Sequence, residues 1–314
     1  MLATQIMKND NQDIYIIGNG VIAKALAVAL TLNGRKVTIL RGSTEDQPSH
    51  TENIEVEIGE DVINAAVLVD SMANYKSLNG LILLTNKSFG NEALAAKLKA
   101  KTHKSPIVFL QNGLHIENSF IDNGFTELYR CVLMATSESL TTSKVRFKLV
   151  APSTIGIIKG SEEVLQNIVG TLDTGVFSFR SEEDIQTIIW KKVISNCVFN
   201  SICPLLETDN GIFLRNDEAL QMAKTVISEC LTVAVEHEID LTMDVVLQNI
   251  LAISKMSDGQ KISTYQDILN KRETEIETLN LAIEKAALIK GIPEVPVTAL
   301  LGKLIKIKSE LSRI

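Results

Sequence analysis

The sequence predicts an α/β fold, with a Rossmann-like parallel sheet in an N-terminal domain and an all-helical C-terminal domain. In the first half of the 314-residue chain, short apolar segments alternate with helical ones. This alternation is typical of parallel strands that helices cover on both faces. From about residue 183 onwards only helical patterns follow. We therefore predict one domain at residues 1–182 and a second at residues 183–314.

Five apolar segments predict the buried strands of this sheet. They lie at residues 13–18, 36–40, 64–70, 80–85 and 105–110. A strongly apolar helix is predicted from Val21 to the closing Gly34, and a second helix over residues 91–102. Two later segments have the pattern of hairpin strands added to the sheet, at residues 143–150 and 153–160.

Five helices are predicted in the second domain, on the basis of apolar residues at helical spacing. They lie at residues 182–207, 216–239, 242–256, 270–291 and 296–312. Pro204 is expected to bend or end the first of them. Gly291 is expected to stop the fourth.

The composition argues against several classes of partner. Hydrophobic residues make up 45% of the chain, which is enough for a large core. The formal net charge of −7 argues against nucleic acid or an anionic membrane as the main partner. The sequence has no run of 18 apolar residues, so we predict no transmembrane helix. Its first residues contain no apolar segment long enough for a signal peptide, and we interpret them as a short extension. We expect a cytoplasmic protein that is a monomer or a homodimer.

The four cysteines predict neither a disulfide framework nor a metal site. They show no CxxC spacing, and each stands among apolar residues: Cys131, Cys197, Cys203 and Cys230. This pattern is typical of reduced core residues in a cytosolic protein. A reactive thiol is the alternative interpretation.

The first strand runs into a glycine-rich turn that opens the first helix. The turn reads Gly18, Asn19, Gly20, Val21, Ile22, Ala23. In a dinucleotide-binding fold, the first glycine of such a motif makes a tight turn and the second lets the backbone approach a pyrophosphate. The free N–H groups of the helix then bind phosphate. The alternative is a tight turn without a ligand.

Arg41 follows the second strand, at the position where an NAD enzyme usually carries an acidic residue. An acidic side chain there bonds the ribose 2′-hydroxyl group, whereas an arginine accommodates a 2′-phosphate. The sequence therefore favours NADP(H) over NAD. The alternative is a surface arginine at a strand end. Arg35 and Lys36 precede the strand and are less well placed.

Two polar loops follow later strands, on the side where doubly wound sheets bind ligands. Thr85 to Lys87 follow one strand, and Gln111 to Gly113 follow another. Lys87 and Asn112 are therefore candidates for contacts to the cofactor or the substrate. A solvated loop is the alternative for Lys87. A turn is the alternative for Asn112 and Gly113, because Asn-Gly is a common turn pair.

A polar line crosses the helix predicted over residues 182–207. Lys192, Asn196 and Asn200 recur at every fourth residue and so lie along one side of the helix. Asparagine is a poor helix former, about 0.5 kcal/mol worse than alanine, and a solvated face would more cheaply carry Glu, Gln or Lys. The pattern indicates a functional face.

A carboxylate is predicted on the inner side of the fourth helix. Its apolar face consists of six residues: Ile276, Leu279, Ala282, Ile283, Ala286 and Ala287. In this predicted helix, Glu275 lies about one turn before Leu279, on the side that carries the apolar face. It is either a partly solvated residue of the helix start, which favours acidic residues, or a functional residue. Ser263, further upstream, is a plausible N-cap.

These segments, taken in order, resemble the ketopantoate reductases (2-dehydropantoate 2-reductases). The order is a GxGxxA turn, a TxK loop, a QNG loop, the pattern K-x-x-x-N-x-x-x-N, and a serine followed by QD and TEI. The resemblance covers most of the chain, and its last two patterns are the most specific. It implies that NADPH reduces the C2 ketone of ketopantoate to give pantoate, for pantothenate and coenzyme A synthesis.

The resemblance also implies roles for single residues. Lys192 matches the catalytic lysine of the family and Glu275 its essential glutamate, which lies at the substrate hydroxyl group. The remaining matches are Asn196 and Asn200 for substrate contacts, Ser263 for the substrate carboxylate, Asn112 and Lys87 for the region near the nicotinamide and the substrate, and Arg41 for the 2′-phosphate. A lysine there can stabilise the charge that grows on the carbonyl oxygen and deliver a proton.

The chain departs from the family pattern in two places. From Gly34 to Arg41 it has seven steps instead of eight, which would displace Arg41. Ser143 and Lys144 stand near an expected glycine, and Phe147 or Lys148 near an expected histidine. A reductase of another 2-oxo acid therefore remains an alternative. A catalytically silent NADP-binding protein and a dehydrogenase acting on 3-hydroxy acids are further alternatives.

Overall fold

The computed structural model describes residues 12–42, 48–102, 104–292 and 294–314, and the predicted N-terminal extension lies outside them. The chain forms two compact units. The first contains the chain up to Gln111 together with Glu117–Ile185, and the second contains Asn112–Ile116 together with Gln186–Ile314. The first unit carries the sheet and the second is helical, which confirms the predicted fold class. The short segment 112–116 belongs to the helical unit, although it follows a strand of the sheet.

The strands of the sheet unit form one eleven-stranded sheet across the described residues. In chain order they are β1 (Asp13–Ile17), β2 (Val37–Arg41), β3 (His50–Ile58), β4 (Asp61–Ser71), β5 (Gly80–Leu84), β6 (Ile107–Phe109), β7 (Leu128–Val132), β8 (Ala135–Ser139), β9 (Lys144–Leu149), β10 (Ser153–Lys159) and β11 (Phe179–Ser181). The spatial order is β11-β10-β7-β6-β5-β1-β2-β4-β3-β9-β8.

Six parallel strands form the centre of this sheet, in the order β7-β6-β5-β1-β2-β4. This is the order of a Rossmann sheet, in which the chain reverses its direction of travel between the first and fourth strands. Those two strands are β1 and β5 here, with Ile16 opposite Ile39 of β2 on one side and Leu83 of β5 on the other. A ligand is expected beyond the carboxyl ends of this pair.

Among the described residues, four helices accompany the sheet: α1 (Val21–Leu32), α2 (Asn91–Lys99), α3 (Asn118–Asp122) and α4 (Glu162–Leu172). Residues Ala23 to Leu30 of α1 are all buried, because the apolar helix packs into the core of the sheet unit. As predicted, α1 closes at a glycine: Gly34 has a φ of +74° and follows the C-cap Asn33.

Several elements of the sheet unit differ from the prediction. The segment 143–150 contains β9, which pairs with β3 and β8, whereas 153–160 contains β10, which pairs with β7 and β11. The two segments therefore lie in different parts of the sheet, and the prediction missed β3, β7, β8, β11, α3 and α4. β3 was not predicted because three glutamates interrupt its apolar pattern. In β4, buried and exposed residues alternate up to Leu68, so one face of that part of the strand is buried and the other is exposed.

The helical unit contains α5 (Ile185–Leu205), α6 (Ile212–Arg215), α7 (Asp217–Glu236), α8 (Met243–Met256), α9 (Ser263–Leu269), α10 (Asn280–Lys290) and α11 (Pro296–Ser312). Two of them begin at polar N-caps, since Asn216 caps α7 and Thr242 caps α8. α5 ends directly after Pro204, as expected. None of the described helices has the length and apolar character needed to cross a membrane.

Two predictions for the helical unit are wrong. The continuous helix predicted over residues 270–291 is instead a 3-10 turn, Ile276–Thr278, followed by α10. Leu279 separates the two, with φ −112° and ψ −107°, which lies outside helical geometry. Ser263 is not an N-cap, because it is the first residue of α9 and the N-cap is Ile262. The predicted apolar face is nevertheless buried: Ile276, Leu279, Ala282, Ile283, Ala286 and Ala287.

Candidate functional site

The glycine turn after β1 is held between two neighbouring strands. The Gly18 N–H donates to the Leu40 carbonyl at the end of β2, over 3.0 Å. The N–H groups of Thr85 and Asn86, after β5, both donate to the Ile17 carbonyl. Gly18 has a φ of +117°, and a Cβ atom there would lie 2.8 Å from the Asn86 backbone nitrogen. Gly18 is therefore required by the fold itself.

Gly20 differs from Gly18, because a side chain there would meet open space. Apart from Gly20 itself and its two chain neighbours, no described residue has an atom within 4 Å of a Cβ atom built at Gly20. Its φ of −81° suits any residue. Gly20 is the N-cap of α1, which begins with Val21, Ile22 and Ala23 and carries no acidic residue in its first turn. The free N–H groups of this turn can bind an anion.

A cavity of about 280 Å³ lies beyond the carboxyl ends of β2 and β4. Its lining contains three cationic side chains, Arg41, Lys97 and Lys101, together with Gly42, Met72 and Ala73. The Arg41 Nη2 atom also donates to the Pro48 carbonyl over 3.1 Å. Three cations around one cavity suit a phosphate group. Arg41 thus lines a cationic cavity, although the interval before it is short.

The loops after β5 and β6 are joined through a pair of buried amides. Asn91 Nδ2 donates to Gln111 Oε1 over 2.9 Å, and Gln111 Nε2 donates to Asn91 Oδ1 over 2.8 Å. Both side chains are at most 5% exposed. Asn91 begins α2 shortly after the half-buried Lys87, and Gln111 directly precedes Asn112. This pair was not predicted, because nothing in a single sequence connects two amides twenty residues apart.

In the helical unit, segment 112–116 packs against the turn that carries Glu275. The Leu114 N–H donates to the Thr278 carbonyl over 2.9 Å. Gly113 has a φ of +116°, and a Cβ atom there would lie 2.4 Å from the Thr278 Cβ atom. The Thr278 N–H in turn donates to the Glu275 carbonyl over 3.0 Å. Asn112 and Glu275 therefore belong to two segments that are fixed to each other.

The polar line on α5 is only partly exposed. Lys192 and Asn196 are half-buried, whereas Asn200 is 2% exposed. Asn200 Oδ1 accepts a hydrogen bond of 3.3 Å from the Thr264 N–H, in the first turn of α9. Asn200 thus ties α5 to the segment that carries the exposed Ser263. The structure brings the Asn200 end of this line close to the serine segment, and Glu275 is half-buried on its own turn.

Of the residues that depart from the family pattern, Lys144, Phe147 and Lys148 lie on β9, and Ser143 directly precedes it. Phe147 is buried on β9, with its ring stacked on Phe177 at a centroid distance of 4.1 Å. Lys144 Nζ pairs with Glu57 Oε1 over 2.8 Å. Both contacts stabilise the β3 side of the sheet. They explain the departures structurally and do not indicate a particular substrate.

The cysteines lie in the core. All four are buried and none forms a disulfide. Burial raises the pKa of Cys203 to about 12. Burial and the neighbouring Cys230 raise the pKa of Cys197 well above its ordinary value. Thiols with raised pKa values stay protonated at neutral pH, which argues against a nucleophilic role for these two residues.

Comparisons with known proteins match both units to one family. The family model described as "Ketopantoate reductase PanE/ApbA" matches residues 14–160, and that described as "Ketopantoate reductase PanE/ApbA C terminal" matches residues 184–309. A 2-dehydropantoate 2-reductase from Pyrococcus horikoshii is 26% identical over 314 residues, covering 95% of this chain and 98% of the relative.

Two solved structures share the fold. A dimeric ketopantoate reductase from Staphylococcus aureus superposes with a TM-score of 0.80 at 17% identity, covering 96% of this chain and 99% of the other. A D-mandelate dehydrogenase in complex with NADH and anilino(oxo)acetate superposes with a TM-score of 0.84 at 19% identity, with the same coverage. At these identities the likeness shows the fold alone.

Proposed function

The chain belongs to the ketopantoate reductase family of oxidoreductases, and from this premise we propose that it reduces ketopantoate to pantoate with NADPH. The observation that carries the proposal is the arrangement of the helical unit, in which the Asn112 segment is docked on the Glu275 turn through Gly113 and Thr278. The half-buried Lys192 and Asn196 supply an ammonium group and an amide from α5 in the same unit.

The sheet unit supplies groups that fit a dinucleotide phosphate. The open space at Gly20 allows a pyrophosphate to approach the N–H groups of Val21, Ile22 and Ala23. The cationic cavity fits a 2′-phosphate, so that we assign Arg41, Lys97 and Lys101 to NADP(H). Gly18 and Asn19 shape the turn, and Lys87 is assigned to the nicotinamide side of the cofactor. These assignments favour NADPH over NADH.

The bound nicotinamide supplies a hydride to the carbonyl carbon of the substrate. The new C–H bond forms as the C=O π bond breaks, and negative charge grows on the oxygen. The Lys192 ammonium group stabilises that charge and gives one proton to the oxygen, which yields the hydroxyl group of the product. Asn112 and Asn196 hold the substrate in register by amide hydrogen bonds, and Glu275 orients its hydroxyl group.

Within the predicted substrate site, Ser263 keeps its predicted role in this proposal and Asn200 has a partly different one. Ser263, exposed at the start of α9, binds the substrate carboxylate. Asn200 positions Ser263, because its side-chain oxygen already accepts the Thr264 N–H. Asn200 therefore contributes to substrate binding mainly through the α9 segment.

A related 2-oxo acid is the second candidate substrate, and the likeness to a D-mandelate dehydrogenase favours testing it. We also propose a homodimer, because one structural relative is dimeric. The first experiment follows the absorbance of NADPH and of NADH with a panel of aliphatic and aryl 2-oxo acids. The proposal expects the highest kcat/KM with ketopantoate and NADPH. A higher kcat/KM with an aryl 2-oxo acid would replace ketopantoate as the substrate, and no turnover of any substrate would refute a reductase.

The cofactor preference is tested with two arginine variants. Arg41→Ala should weaken NADPH binding by about 1.5–3 kcal/mol, the size of a lost charge-assisted contact, and leave NADH binding almost unchanged. Arg35→Ala is the matched control, because Arg35 precedes β2 and so lies at the opposite edge of the sheet. Equal losses for both cofactors in Arg41→Ala would contradict the assignment of the 2′-phosphate.

A further inference from the structure

A buried asparagine stands at the start of α10, among apolar residues. Asn280 is 0% exposed, and the three residues that follow it, Leu281, Ala282 and Ile283, are buried as well. The N-cap of α10 is Leu279, so Asn280 does not have the usual role of an asparagine at a helix start. Burying an amide costs free energy unless hydrogen bonds compensate it. The contacts of Asn280 must therefore account for its position.

The amide nitrogen of Asn280 contacts two other helices of the same unit. Nδ2 donates to the Cys197 carbonyl of α5 over 3.2 Å, and it makes a longer contact of 3.5 Å to the Thr298 carbonyl of α11. Cys197 directly follows Asn196 in the polar line of α5. Because the amide is buried, water does not compete for these contacts, and the hydrogen bond to α5 is strengthened.

The helix α11 packs directly against this amide. A Cβ atom built at Gly302 of α11 would lie 2.9 Å from the Asn280 Cβ atom, closer than real Cβ atoms approach each other. Thr298, one turn earlier on α11, is 0% exposed. The Asn280 side chain is therefore confined between α5 and α11, and close packing leaves it little freedom to turn away.

Stability alone does not explain an asparagine at this position. Within the described part of the chain, Asn280 Oδ1 is buried without a hydrogen-bond partner, which destabilises the fold. The Cys197 carbonyl would not lose its last donor with Asn280, because Ser201 Oγ also donates to it, over 2.6 Å. A leucine, which branches at the same atom, should therefore be about as stable here. The amide adds a directed bond that fixes α10 at one position on α5.

A short, hydrogen-bonded stretch joins Asn280 to Glu275. The Thr278 N–H donates to the Glu275 carbonyl over 3.0 Å, Leu279 leaves helical geometry, and Asn280 then begins α10. The turn that carries Glu275 therefore cannot shift along α5 without straining the bond from Asn280 to the Cys197 carbonyl. That bond fixes the turn relative to the polar line on α5.

We propose that Asn280 is a positioning residue, whose amide holds the Glu275 turn in place relative to Asn196, so that both groups meet one substrate. The inference rests on the proposed function of Glu275 and Asn196, and it assigns Asn280 no contact with the substrate itself. It separates two properties that a purely structural residue would change together. Loss of the amide lowers turnover without lowering stability.

Asn280→Leu tests this separation by steady-state kinetics with ketopantoate, beside urea unfolding. We expect kcat to fall about tenfold or more, because a misplacement of about 1 Å at an active site can cost about 100-fold. The KM for NADPH and the urea midpoint should stay near those of the wild type. Thr298→Val is the matched control, since it removes a hydroxyl group that is also buried without a partner but keeps the Thr298 backbone. It should retain the kcat of the wild type.

A conservative variant separates the hydrogen bond from packing, also where leucine proves too large for the site. Asn280→Asp keeps the shape, but a carboxylate cannot donate to the Cys197 carbonyl. Burial beside two carbonyl oxygens favours the protonated carboxyl group, whose O–H can donate. The ratio of its kcat to that of the wild type should therefore rise as the pH falls from about 8 to about 5. A ratio that did not change with pH would overturn the inference.

Backbone hydrogen exchange makes the test independent of turnover. The Thr278 and Leu114 N–H groups both bond within the turn that Asn280 holds, so they should exchange about tenfold faster or more in Asn280→Leu, but not in Thr298→Val. A wild-type chain that reduces no 2-oxo acid would refute the proposed function, whereas faster exchange would still support the positioning of this turn. Unchanged exchange, or a normal kcat in Asn280→Leu, would overturn the inference.

Discussion

The two units place their candidate site residues by different means. In the sheet unit, the glycine turn, Arg41 and Lys87 follow strand ends, so their location results from the order of six parallel strands. In the helical unit, the Asn112 segment meets Thr278, and Asn200 meets Thr264, across long stretches of chain. The proposed nucleotide-binding edge therefore follows from local sequence rules, whereas the proposed catalytic groups depend on tertiary contacts.

The largest effect is expected in the helical unit, at Lys192. If Lys192 donates the proton, Lys192→Ala should reduce kcat about 10²–10⁴-fold, the usual contribution of a positioned general acid. NADPH affinity should change little, because the phosphate-binding groups lie in the sheet unit. Steady-state kinetics with ketopantoate, beside a thermal melt, measure both.

Lys191→Ala is the matched control for this prediction. Lys191 is the neighbouring half-buried lysine on α5, and its side chain points about 100° away around the helix. The control should keep a near-normal kcat. If the two variants turned over equally well and melted normally, the polar line on α5 would have no catalytic role.

The sheet unit offers a sharper contrast between two glycines of one turn. Gly18→Ala should destabilise the fold by about 1–3 kcal/mol, because φ is positive there and the Asn86 backbone stands in the way. Gly20→Ala should change the free energy of unfolding by no more than about 0.5 kcal/mol. It should nevertheless weaken NADPH binding strongly, since its methyl group would occupy the open space.

Urea unfolding and NADPH titration of both variants separate a structural glycine from a binding glycine. A Gly20→Ala variant that binds NADPH as tightly as the wild type would reduce the motif to a turn. A Gly18→Ala variant of normal stability would contradict the clash with Asn86.

The sequence predicted some elements of each unit better than others, for physical reasons. Strand ends and glycine turns are set by neighbours in the chain, so that β1, α1, β2 and β5 were located within a few residues. The helix predicted through Glu275 was wrong, because its apolar spacing continues across Leu279 although the backbone does not. Burial there is determined by packing against other segments, which periodicity alone does not reveal.

The same limit applies to residues that support the site. Asn91 and Gln111 form two hydrogen bonds inside the core, but each alone looks like an ordinary loop amide. Arg130 and Glu117 form a buried ion pair of 2.9 Å where the chain returns to the sheet unit after segment 112–116. Such pairs become visible only when the fold is known, because their partners are distant in sequence.

An intermediate effect on stability is expected at the buried amide pair of Asn91 and Gln111. Gln111→Ala should lower the free energy of unfolding by about 1–3 kcal/mol, because it leaves the buried Asn91 amide without its partner. Asn91→Ala should do the same, and the double variant should lose less than the sum, with a coupling of about 0.5–3 kcal/mol. Additive losses would show that the two amides act independently.

Gln111→Ala should also lower kcat more than it raises KM, because Asn112, which is proposed to contact the substrate, directly follows Gln111 in the chain. Gln166→Ala, at an exposed glutamine of α4, is the control and should change neither quantity. Unchanged kcat in a destabilised Gln111→Ala variant would restrict the pair to a role in folding.

The last prediction concerns the pH dependence of stability, at the carboxyl end of β4. Burial acts to raise the pKa of Asp70, but hydrogen bonds from Ser49, Asn74 and the Ser71 N–H lower it below its ordinary value of 3.8. A carboxyl group with a lowered pKa in the folded state stabilises the fold above its ordinary pKa, and this contribution disappears as the pH falls through the folded value. Asp70→Asn should therefore cost about 1–3 kcal/mol at pH 7, the range for hydrogen bonds to a charged group. The difference from the wild type should shrink only below about pH 4. Asp61→Asn, at an exposed position of the same strand, should show no such difference. Urea unfolding between pH 3 and pH 7 measures both variants, and a difference that grew towards low pH would reverse the assigned sign.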